Sequence, residues 1–392
     1  MKFIDEIELK DKRVFMRVDF NCPLDAQNQI TDDTRIRRAL PTLQYALEKS
    51  AKVILASHLG RPKGVRNLHY SLLPVAERLA ELTNHEVLLA EDCIGDGVKK
   101  LVLDLKDGQI LMLENLRFHS EEEKNDDQFS EKLTALADVY INEAFGSLHR
   151  AHASTVGMVR LVKEYGAGFL VKKEIEYLSR LVKDPERPFL AILGGAKVSD
   201  KIGVIENLLN LVDGLLIGGA MAFTFLKSQG YKVGNSLVEE EQLKVVDKIW
   251  NRAKTKGISL HLPQDHVMAA ALELPETKKL SLDRNIQEGY RAFDIGPKTI
   301  ALFSQEIAKA NTILWNGPMG VFEKSTYAQG TLQVAQAVGD NPGLKVVAGG
   351  DSVAAINQLG LQDKISHLST GGGATLEFLE GKVLPGIKAL EA

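Results

Sequence analysis

Short apolar segments alternate with amphipathic stretches along the chain. The first half shows this in RVFMRVDF, DTRIRRALPTLQYALEKS, KVILAS and SLLPVAERLAEL. The apolar segments are continuously apolar rather than alternating, which is typical of parallel strands covered by helices on both faces. The pattern begins again at FLAILGG and continues through GLLIGG, ISLHLP, TILWNGP, KVVAGG and ISHLSTGGG. The sequence therefore predicts the α/β class, with two doubly wound parallel-sheet domains.

A domain boundary is predicted where the helical segment LVKKEIEYLSRLV leads into KDPERPF, because two prolines after a helix favour a stop and a linker. We place an N-terminal domain at residues 1–170 and a C-terminal domain at 171–374. Both are expected to be Rossmann-like and joined by a hinge, with a ligand cleft between them. The last segment, ATLEFLEGKVLPGIKALEA, predicts a further helix and a tail, and its spacing does not say which domain it contacts.

Length and composition agree with this picture. A chain of 392 residues exceeds the size at which one hydrophobic core stops growing. The net charge of −4 argues against a general polyanion-binding protein, so any anion site must be local. Cys22 and Cys93 are the only cysteines, which fits a reducing compartment. The start of the chain lacks the apolar core of a signal peptide, and no segment has the ~20 apolar residues of a membrane span. We expect a cytoplasmic protein.

Charged and polar residues follow the predicted strands of the first half. Ligands of open parallel sheets bind at the carboxyl ends of the strands, and arginine binds phosphate and carboxylate bidentately. These residues therefore predict a focused pocket for a small, multiply anionic ligand. They are Asp19, Asn21, His58, Arg61, Asn115, Arg117 and Arg150, with Arg35 at the start of the first long helix. We expect His149 and His152 to be packing residues of a loop rather than metal ligands.

Glycines take the corresponding positions in the second half, in LGGAKVSDK, LIGGAM, WNGPMGVFE, VAGGDS and STGGGA. Glycine turns before helices let backbone amides approach a phosphate. Lys197 and Lys201 are one helical turn apart, which predicts that both lie on one side of a helix. Asp351 is a suitable ligand for Mg²⁺ held with nucleotide phosphates. The chain contains neither G-x-x-x-x-G-K-[ST] nor G-x-G-x-x-G, so the P-loop and the dinucleotide-binding motif are disfavoured.

Taken together, RVDFNCP, SHLGRP, ENLRF, AFGSLHRAHAS, GGAKVSDKI, WNGPMGVFE, GGDS and STGGGA resemble the markers of the phosphoglycerate kinase family, in the same order and over nearly the whole chain. The departures are small. Cys22 replaces a more usual valine, GSLHR stands for GTAHR, and Ser352 stands where threonine is common. Each change keeps the size or the hydroxyl group.

The resemblance implies reversible phosphoryl transfer between 1,3-bisphosphoglycerate and ADP, giving 3-phosphoglycerate and ATP, with Mg²⁺ as cofactor. It also implies direct in-line transfer after domain closure, a monomer, and a tail at about 375–392 that returns to the first domain. The implied substrate-binding residues are Asp19, Phe20, Asn21, Arg35, His58, Leu59, Gly60, Arg61, Arg117 and Arg150. The implied nucleotide-binding residues are Gly195, Lys201, Gly219, Gly296, Asn316, Glu323, Gly349, Gly350, Asp351 and Ser352, of which Asp351 would bind the metal. The implied catalytic residues are Arg35, Lys197, Lys201 and Gly373.

Two alternatives remain at this point. One is a different ATP-dependent kinase that forms an acyl phosphate, although the arginine set with His58 favours a phosphorylated substrate. The other is a non-catalytic protein that binds nucleic acid in a basic cleft. The acidic net charge and the lack of aromatic residues among the arginines argue against nucleic acid.

Overall fold

The continuously apolar segments form parallel strands that are buried on both faces. In the computed structural model, which describes residues 1–392, Val14, Phe15 and Met16 follow one another in the first strand and are all fully buried. Because consecutive strand residues point to opposite faces, both faces of this sheet are covered. The chain divides into unit 1, residues 1–175 with 383–392, and unit 2, residues 176–382.

Unit 1 contains a six-stranded parallel sheet in the order β3-β4-β2-β1-β5-β6. Its strands are β1 (Arg13–Val18), β2 (Lys52–Ala56), β3 (Val87–Leu89), β4 (Ile110–Met112), β5 (Val139–Glu143) and β6 (Glu164–Ala167). Its helices are α1 (Thr34–Glu48), α2 (Leu73–Thr83), α3 (Asp96–Asp104), α4 (Ser120–Lys124) and α5 (Asp127–Thr134), and α6 (Phe169–Lys183) begins in this unit.

Unit 2 repeats the architecture with a second six-stranded parallel sheet, in the order β15-β14-β13-β7-β8-β9. Its strands are β7 (Phe189–Leu193), β8 (Gly214–Ile217), β9 (Ser259–His261), β13 (Thr312–Asn316), β14 (Leu344–Ala348) and β15 (His367–Ser369). Its helices are α7 (Ile202–Leu208), α8 (Met221–Ser228), α9 (Leu243–Thr255), α10 (Pro297–Lys309), α11 (Gln329–Asp340), α12 (Gly350–Gln358) and α13 (Gly373–Leu379). A small antiparallel sheet, β11-β10-β12, was not predicted; it comprises β10 (His266–Ala269), β11 (Lys279–Leu280) and β12 (Arg291–Ile295).

The predicted α/β class with two doubly wound parallel sheets is confirmed. In each sheet the winding reverses at a pair of neighbouring strands, β1 and β5 in unit 1 and β7 and β13 in unit 2. The crevice outside the carboxyl ends of such a pair is where open α/β sheets bind ligands. The loops after these four strands are therefore the expected places for a ligand site.

The segment after residue 373 forms two helices that belong to different units. The first, α13, lies in unit 2, whereas α14 (Pro385–Leu390) lies in unit 1, where the Gly386 amide donates to the Leu148 carbonyl at 2.9 Å. The unit boundary falls between Ile175 and Glu176, inside α6. None of the helices is both long and apolar enough to cross a membrane.

A buried carboxyl group holds the start of α6. Glu143, at the end of β5, is fully buried and accepts hydrogen bonds from the Thr42 hydroxyl and from the Leu170 amide, the latter at 3.0 Å. The Thr42 hydroxyl oxygen in turn accepts from the Phe169 amide at 2.9 Å. Burial raises the pKa of Glu143 from its ordinary 4.5 to about 7. The carboxyl group therefore keeps its proton to a higher pH in the folded chain than in the unfolded chain, although the hydrogen bonds that it accepts oppose this effect.

We expect the stability of the protein to reflect this carboxyl group. Between pH 4.5 and about 7 the folded chain keeps a proton on Glu143 that the unfolded chain has lost, so stability falls as pH rises through this window. Glu143→Gln, which cannot ionise, should reduce the fall in unfolding free energy between pH 5 and pH 8 by on the order of 2 kcal/mol. Urea denaturation measures it, with Glu48→Gln at an exposed position of α1 as the control. Equal pH dependence in the wild type and Glu143→Gln would contradict the assignment.

Candidate functional site

The loops after β1 and β2 are tied together by the predicted residues. The Asn21 side-chain oxygen accepts a hydrogen bond from the Gly60 amide at 2.8 Å. Phe20 and Leu59 are buried and help to fix the loops in the core, while Gly60 adopts a positive φ of 60°. The two loops therefore form one surface at the carboxyl ends of adjacent strands.

Arg35 and Asp19 form an ion pair on this surface. Arg35 lies in the first turn of α1, and its Nη1 is 2.5 Å from Asp19 Oδ2. Burial would raise the pKa of Asp19, but the charges of Arg35 and Arg17 and the hydrogen bond from Arg35 outweigh it and hold the pKa below its ordinary value of 3.8. Asp19 is therefore ionised at neutral pH and holds the guanidinium of Arg35.

Arg117 is positioned by the same loops. It lies in the single turn Leu116–Phe118, which Asn115 caps by accepting from the Arg117 amide at 3.0 Å. Its Nη1 donates to the Gly60 carbonyl at 2.9 Å, and its buried Nε has no hydrogen-bond partner. Burial lowers the pKa of Arg117, and Glu123, 3.5 Å away, opposes this effect. The ion pair is made by the same Nε, which is therefore paired in charge with Glu123 but makes no hydrogen bond.

Arg61 and Arg150 are the more exposed members of the predicted set. Arg61 follows Gly60 directly in the loop after β2. The Nε of Arg150 donates to His149 Nε2 at 3.1 Å, and the charge of Arg150 lowers the pKa of both Arg117 and His152. The charge of Arg150 therefore acts on Arg117, whereas Arg61 is connected to the other residues only through the loop after β2.

Sequence reasoning missed a fully buried guanidinium under this surface. Arg17 interrupts the apolar run of β1 and donates from Nε to Ser154 Oγ at 2.8 Å. Ser154 donates in turn to Glu122 Oε1 at 2.5 Å, and Glu122 is also fully buried. His152 packs into the same network, as a loop-packing residue would, and burial lowers its pKa to about 3. The charge inside an otherwise apolar strand was the available signal for Arg17.

The sequence analysis also did not predict a group of possible metal ligands in unit 1. Asp92, Cys93 and His119 have ligand atoms within 4.8 Å of one another. His119 Nε2 is already 2.7 Å from Asp92 Oδ1, and burial raises the pKa of the Cys93 thiol well above its usual range. The donors therefore satisfy one another as a hydrogen-bonded pair beside a neutral thiol.

In unit 2, Lys201 is held at the strand pair where the winding reverses. Its Nζ donates to the Asn316 main-chain carbonyl at 2.8 Å and to the Asn316 side-chain oxygen. Burial lowers the pKa of Lys201 to about 8, against the opposing charges of Asp200 and Asp351. The ammonium group of Lys201 is therefore a largely buried cation at the carboxyl end of β13.

The prediction that Lys197 and Lys201 share one side of a helix is wrong. Lys197 lies in the loop before the helical turn Ser199–Lys201 and is exposed, whereas Lys201 is nine-tenths buried. The loop after β7 bends at Gly195 and Ala196, and the first helical turn begins only at Ser199, after Lys197. The two ammonium groups therefore occupy different environments.

The predicted glycines fall into two groups. Gly195 and Gly349 have positive φ values of 108° and 91°, which favour glycine in these loops. At Gly219 a Cβ atom would lie 2.5 Å from the Gly195 amide nitrogen, so the loops after β7 and β8 approach too closely for a side chain. These positions require glycine for the backbone conformation that a phosphate-binding turn uses.

Gly296 and Gly373 lie at the starts of helices. A Cβ atom at Gly296 would meet the Asp265 carboxylate, which accepts from the Lys298 and Thr299 amides at 3.0 and 2.8 Å. Gly296 thus makes room for the carboxylate that holds the first turn of α10. Gly373 is the first residue of α13 and is exposed.

Two carboxylates, Asp351 and Glu323, line the same pocket as the glycine loops of unit 2. Asp351 is in the first turn of α12, directly after Gly350, and burial together with the charge of Glu323 raises its pKa. Ser352, fully buried, accepts from the Gly317 amide at 2.7 Å and thereby joins α12 to the loop after β13. Carboxylate oxygens are hard ligands, so the donor set suits Mg²⁺.

One pocket of unit 2 gathers several of these groups. Its lining includes four predicted residues and two apolar side chains: Gly195, Gly219, Glu323, Asp351, Phe223 and Met319. A cavity with apolar walls and a few convergent polar groups is typical of a small-molecule site.

Comparisons with known proteins agree on one family. The family model for phosphoglycerate kinase matches residues 4–382. Phosphoglycerate kinases from Anaeromyxobacter sp. (strain Fw109-5) and Clostridium botulinum (strain Hall) are 56% and 52% identical to this chain. The alignments cover 100% of the chain and 99% of the first relative, and 99% and 98% for the second.

Solved structures give the same result. Phosphoglycerate kinase from Coxiella burnetii is 41% identical with a TM-score of 0.88, and that from Pyrococcus horikoshii OT3 is 34% identical with a TM-score of 0.88. Each match covers 100% of this chain and 98% of the other. Neither a different acyl-phosphate kinase nor a nucleic-acid-binding protein is favoured by these matches. The chain belongs to the phosphoglycerate kinase family.

Proposed function

We propose that this kinase transfers a phosphoryl group reversibly between 1,3-bisphosphoglycerate and ADP, giving 3-phosphoglycerate and ATP, with unit 1 binding the glycerate ligand and unit 2 the nucleotide. The observation that carries the proposal is the division of chemistry between the units. Basic side chains gather at the sheet edge of unit 1, and glycine turns with Lys201 and two carboxylates gather in unit 2. The enzyme is proposed to act as a cytoplasmic monomer without nucleic acid or membrane.

The glycerate ligand would be held by the guanidinium groups of unit 1. Arg61, Arg117 and Arg150 bind the phosphate that does not react, since a guanidinium fork matches phosphate geometry. The Nε of Arg117, which is 3.5 Å from Glu123 Oε1 and makes no hydrogen bond, would donate to this phosphate. Asp19 and Asn21 orient the hydroxyl end of the ligand, and Arg35 lies near the carboxyl group that becomes the acyl phosphate.

The nucleotide would be held by the glycine turns of unit 2. The backbone amides at the start of α12 would face its phosphates, Gly195 and Gly219 leave room for them because they carry no side chain, and Glu323 faces the pocket that would take the rest of the nucleotide. Asp351 would hold Mg²⁺, which neutralises phosphate charge when it is bound. The exposed Lys197 is free to follow the transferred group.

The transfer itself requires alignment and charge stabilisation more than a covalent nucleophile. Arg35 and Lys197 stabilise the charge on the transferred group, with Lys201 and the Gly373 amide as further contributors. Because the two proposed ligand sets lie on different units, we propose that the units close over both ligands before transfer. Closure also removes the water that would hydrolyse an acyl phosphate.

A coupled assay tests the proposed function. With ATP and Mg²⁺, the enzyme should turn over 3-phosphoglycerate, whereas glycerate, which lacks the anchoring phosphate, should be turned over at least about a hundredfold less efficiently, since two or three charge-assisted hydrogen bonds are lost. Equal turnover of the two acids would show that the arginine set does not bind phosphate and would favour another acyl-phosphate kinase.

Arg35→Ala should separate catalysis from binding. We expect kcat and kcat/KM to fall together by a factor equivalent to about 3 kcal/mol, because Arg35 acts on charge that develops during transfer. Arg37→Ala is the matched control, since Arg37 lies on the same helix and is likewise paired with an aspartate, Asp33, at 2.8 Å. Steady-state kinetics measure both variants. An effect of Arg35→Ala confined to KM would remove Arg35 from the transfer step.

Ser352→Ala should weaken the nucleotide side alone. The change leaves the buried Gly317 amide without its acceptor, at a cost of about 1–3 kcal/mol, and so loosens the loop after β13 from α12. Calorimetry should show weaker ADP binding and unchanged 3-phosphoglycerate binding. Ser352→Thr, which keeps the hydroxyl group, is the control and should bind ADP more tightly than Ser352→Ala. Equal weakening of both ligands would contradict the division of roles between the units.

A further inference from the structure

The buried Arg17 side chain has all three of its nitrogen atoms engaged. Nε donates to Ser154 Oγ at 2.8 Å, Nη1 donates to the Val18 carbonyl, and Nη2 lies 3.2 Å from His58 Nδ1. Arg17 is 0% exposed, so it cannot itself contact a ligand at the surface. His58 contacts it from the start of the loop after β2 and is 5% exposed. The guanidinium therefore acts on the site only through its neighbours.

In the hydrogen bond between Arg17 and His58, only Arg17 can be the donor. A guanidinium group has five N–H donors and no acceptor, so it cannot receive a hydrogen bond. Nδ1 of His58 must therefore present its lone pair to Arg17. A neutral imidazole carries one proton, so that proton is on Nε2, the ring atom on the opposite side from Arg17.

The charges around His58 support the neutral ring. Burial comes first in lowering the pKa of His58 well below its usual range. Asp19, from the loop after β1, opposes this, while Arg17 from β1, Arg117 from the turn after β4 and Arg35 from α1 reinforce it. Protonation would also place an N–H group of the ring against an N–H group of Arg17.

Ser154 and Glu122 hold Arg17 in this position from the other side. Ser154 Oγ accepts from Arg17 and donates to Glu122 Oε1 at 2.5 Å, while the Ser154 amide donates to Glu122 Oε2 at 3.0 Å. Each member of this chain is fully buried. A buried network whose polar groups are all paired holds its side chains in one arrangement. The guanidinium therefore has little freedom to rotate away from His58.

We propose that Arg17 is a positioning residue that fixes His58 as the neutral tautomer with its proton on Nε2, so that His58 gives the glycerate ligand a directed N–H donor and not a positive charge. The part that concerns the ligand rests on the proposed function, whereas the tautomer is a property of the free enzyme. Positive charge for the ligand then comes only from the arginines. Binding through His58 depends on the direction of its N–H bond and is insensitive to pH where a free histidine would titrate.

Nitrogen NMR of the free enzyme with labelled histidine tests the tautomer. The signals of His58, assigned by their absence in His58→Gln, should show an unprotonated Nδ1 and a protonated Nε2 throughout pH 6–8. In Arg17→Met, which keeps an apolar stem but no donor, His58 should show a mixture of tautomers or a protonation step in this range. A protonated Nδ1 in the wild type, or titration of wild-type His58 between pH 6 and 8, would overturn the proposal, and neither result requires that Arg17→Met folds.

Two substitutions of His58 test the directed donor. The amide nitrogen of glutamine can take the place of Nε2, whereas that of asparagine reaches only the place of Nδ1. His58→Gln should bind 3-phosphoglycerate about tenfold more tightly than His58→Asn, the scale of one hydrogen bond to a charged group, with equal ADP binding. Equal losses, or the reverse order, would overturn the role of Nε2. Absence of 3-phosphoglycerate binding in the wild type would instead refute the proposed function and leave the NMR result to decide the tautomer.

Discussion

The central strands of both parallel sheets are covered by helices on both faces, so water and ligands reach these strands only at their ends. Val14, Phe15 and Met16 in β1 illustrate this arrangement. Successive residues face the helices on opposite sides of the sheet, so all three are apolar and buried. Polar chemistry is therefore concentrated at the carboxyl edge, where loops leave the sheet. Unit 1 places cations and their partners there, and unit 2 places glycine turns and Lys201. The same constraint produces two different surfaces from one architecture.

The apolar interior also contains a few buried polar side chains, and these hydrogen-bond to one another. Glu143 and Thr42 join a strand to two helices, and Arg17 with Glu122 and Ser154 forms a continuous network. Burying such groups is costly unless every donor and acceptor is paired. The pairing observed here favours one arrangement of each loop, so these residues affect the exposed site without reaching it.

The sequence predicted the parallel sheets because their buried strands have an unmistakable apolar pattern, as in FLAILGG and KVILAS. The strands of the antiparallel sheet, such as Lys279–Leu280, are short and carry no such pattern. The sequence also did not reveal the conformation of the loops. Spacing alone placed Lys197 and Lys201 on one helical face, whereas Lys197 precedes the helix. Arg17 was overlooked because a lone charge in a strand does not reveal which side chains will surround it. The roles of the individual site residues remain predictions.

The order of synthesis gives α14 a particular importance. Residues 383–392 are made after the whole of unit 2, yet they belong to unit 1. There α14 contacts the segment Ala153–Gly157, which carries the Ser154 that holds Arg17. On the ribosome, the first unit to emerge is therefore the last to acquire all of its parts. A nascent chain that ends before residue 383 has the complete sheet of unit 1 but lacks the contact of α14 with the segment that carries Ser154, so this contact forms only after unit 2 has been synthesised.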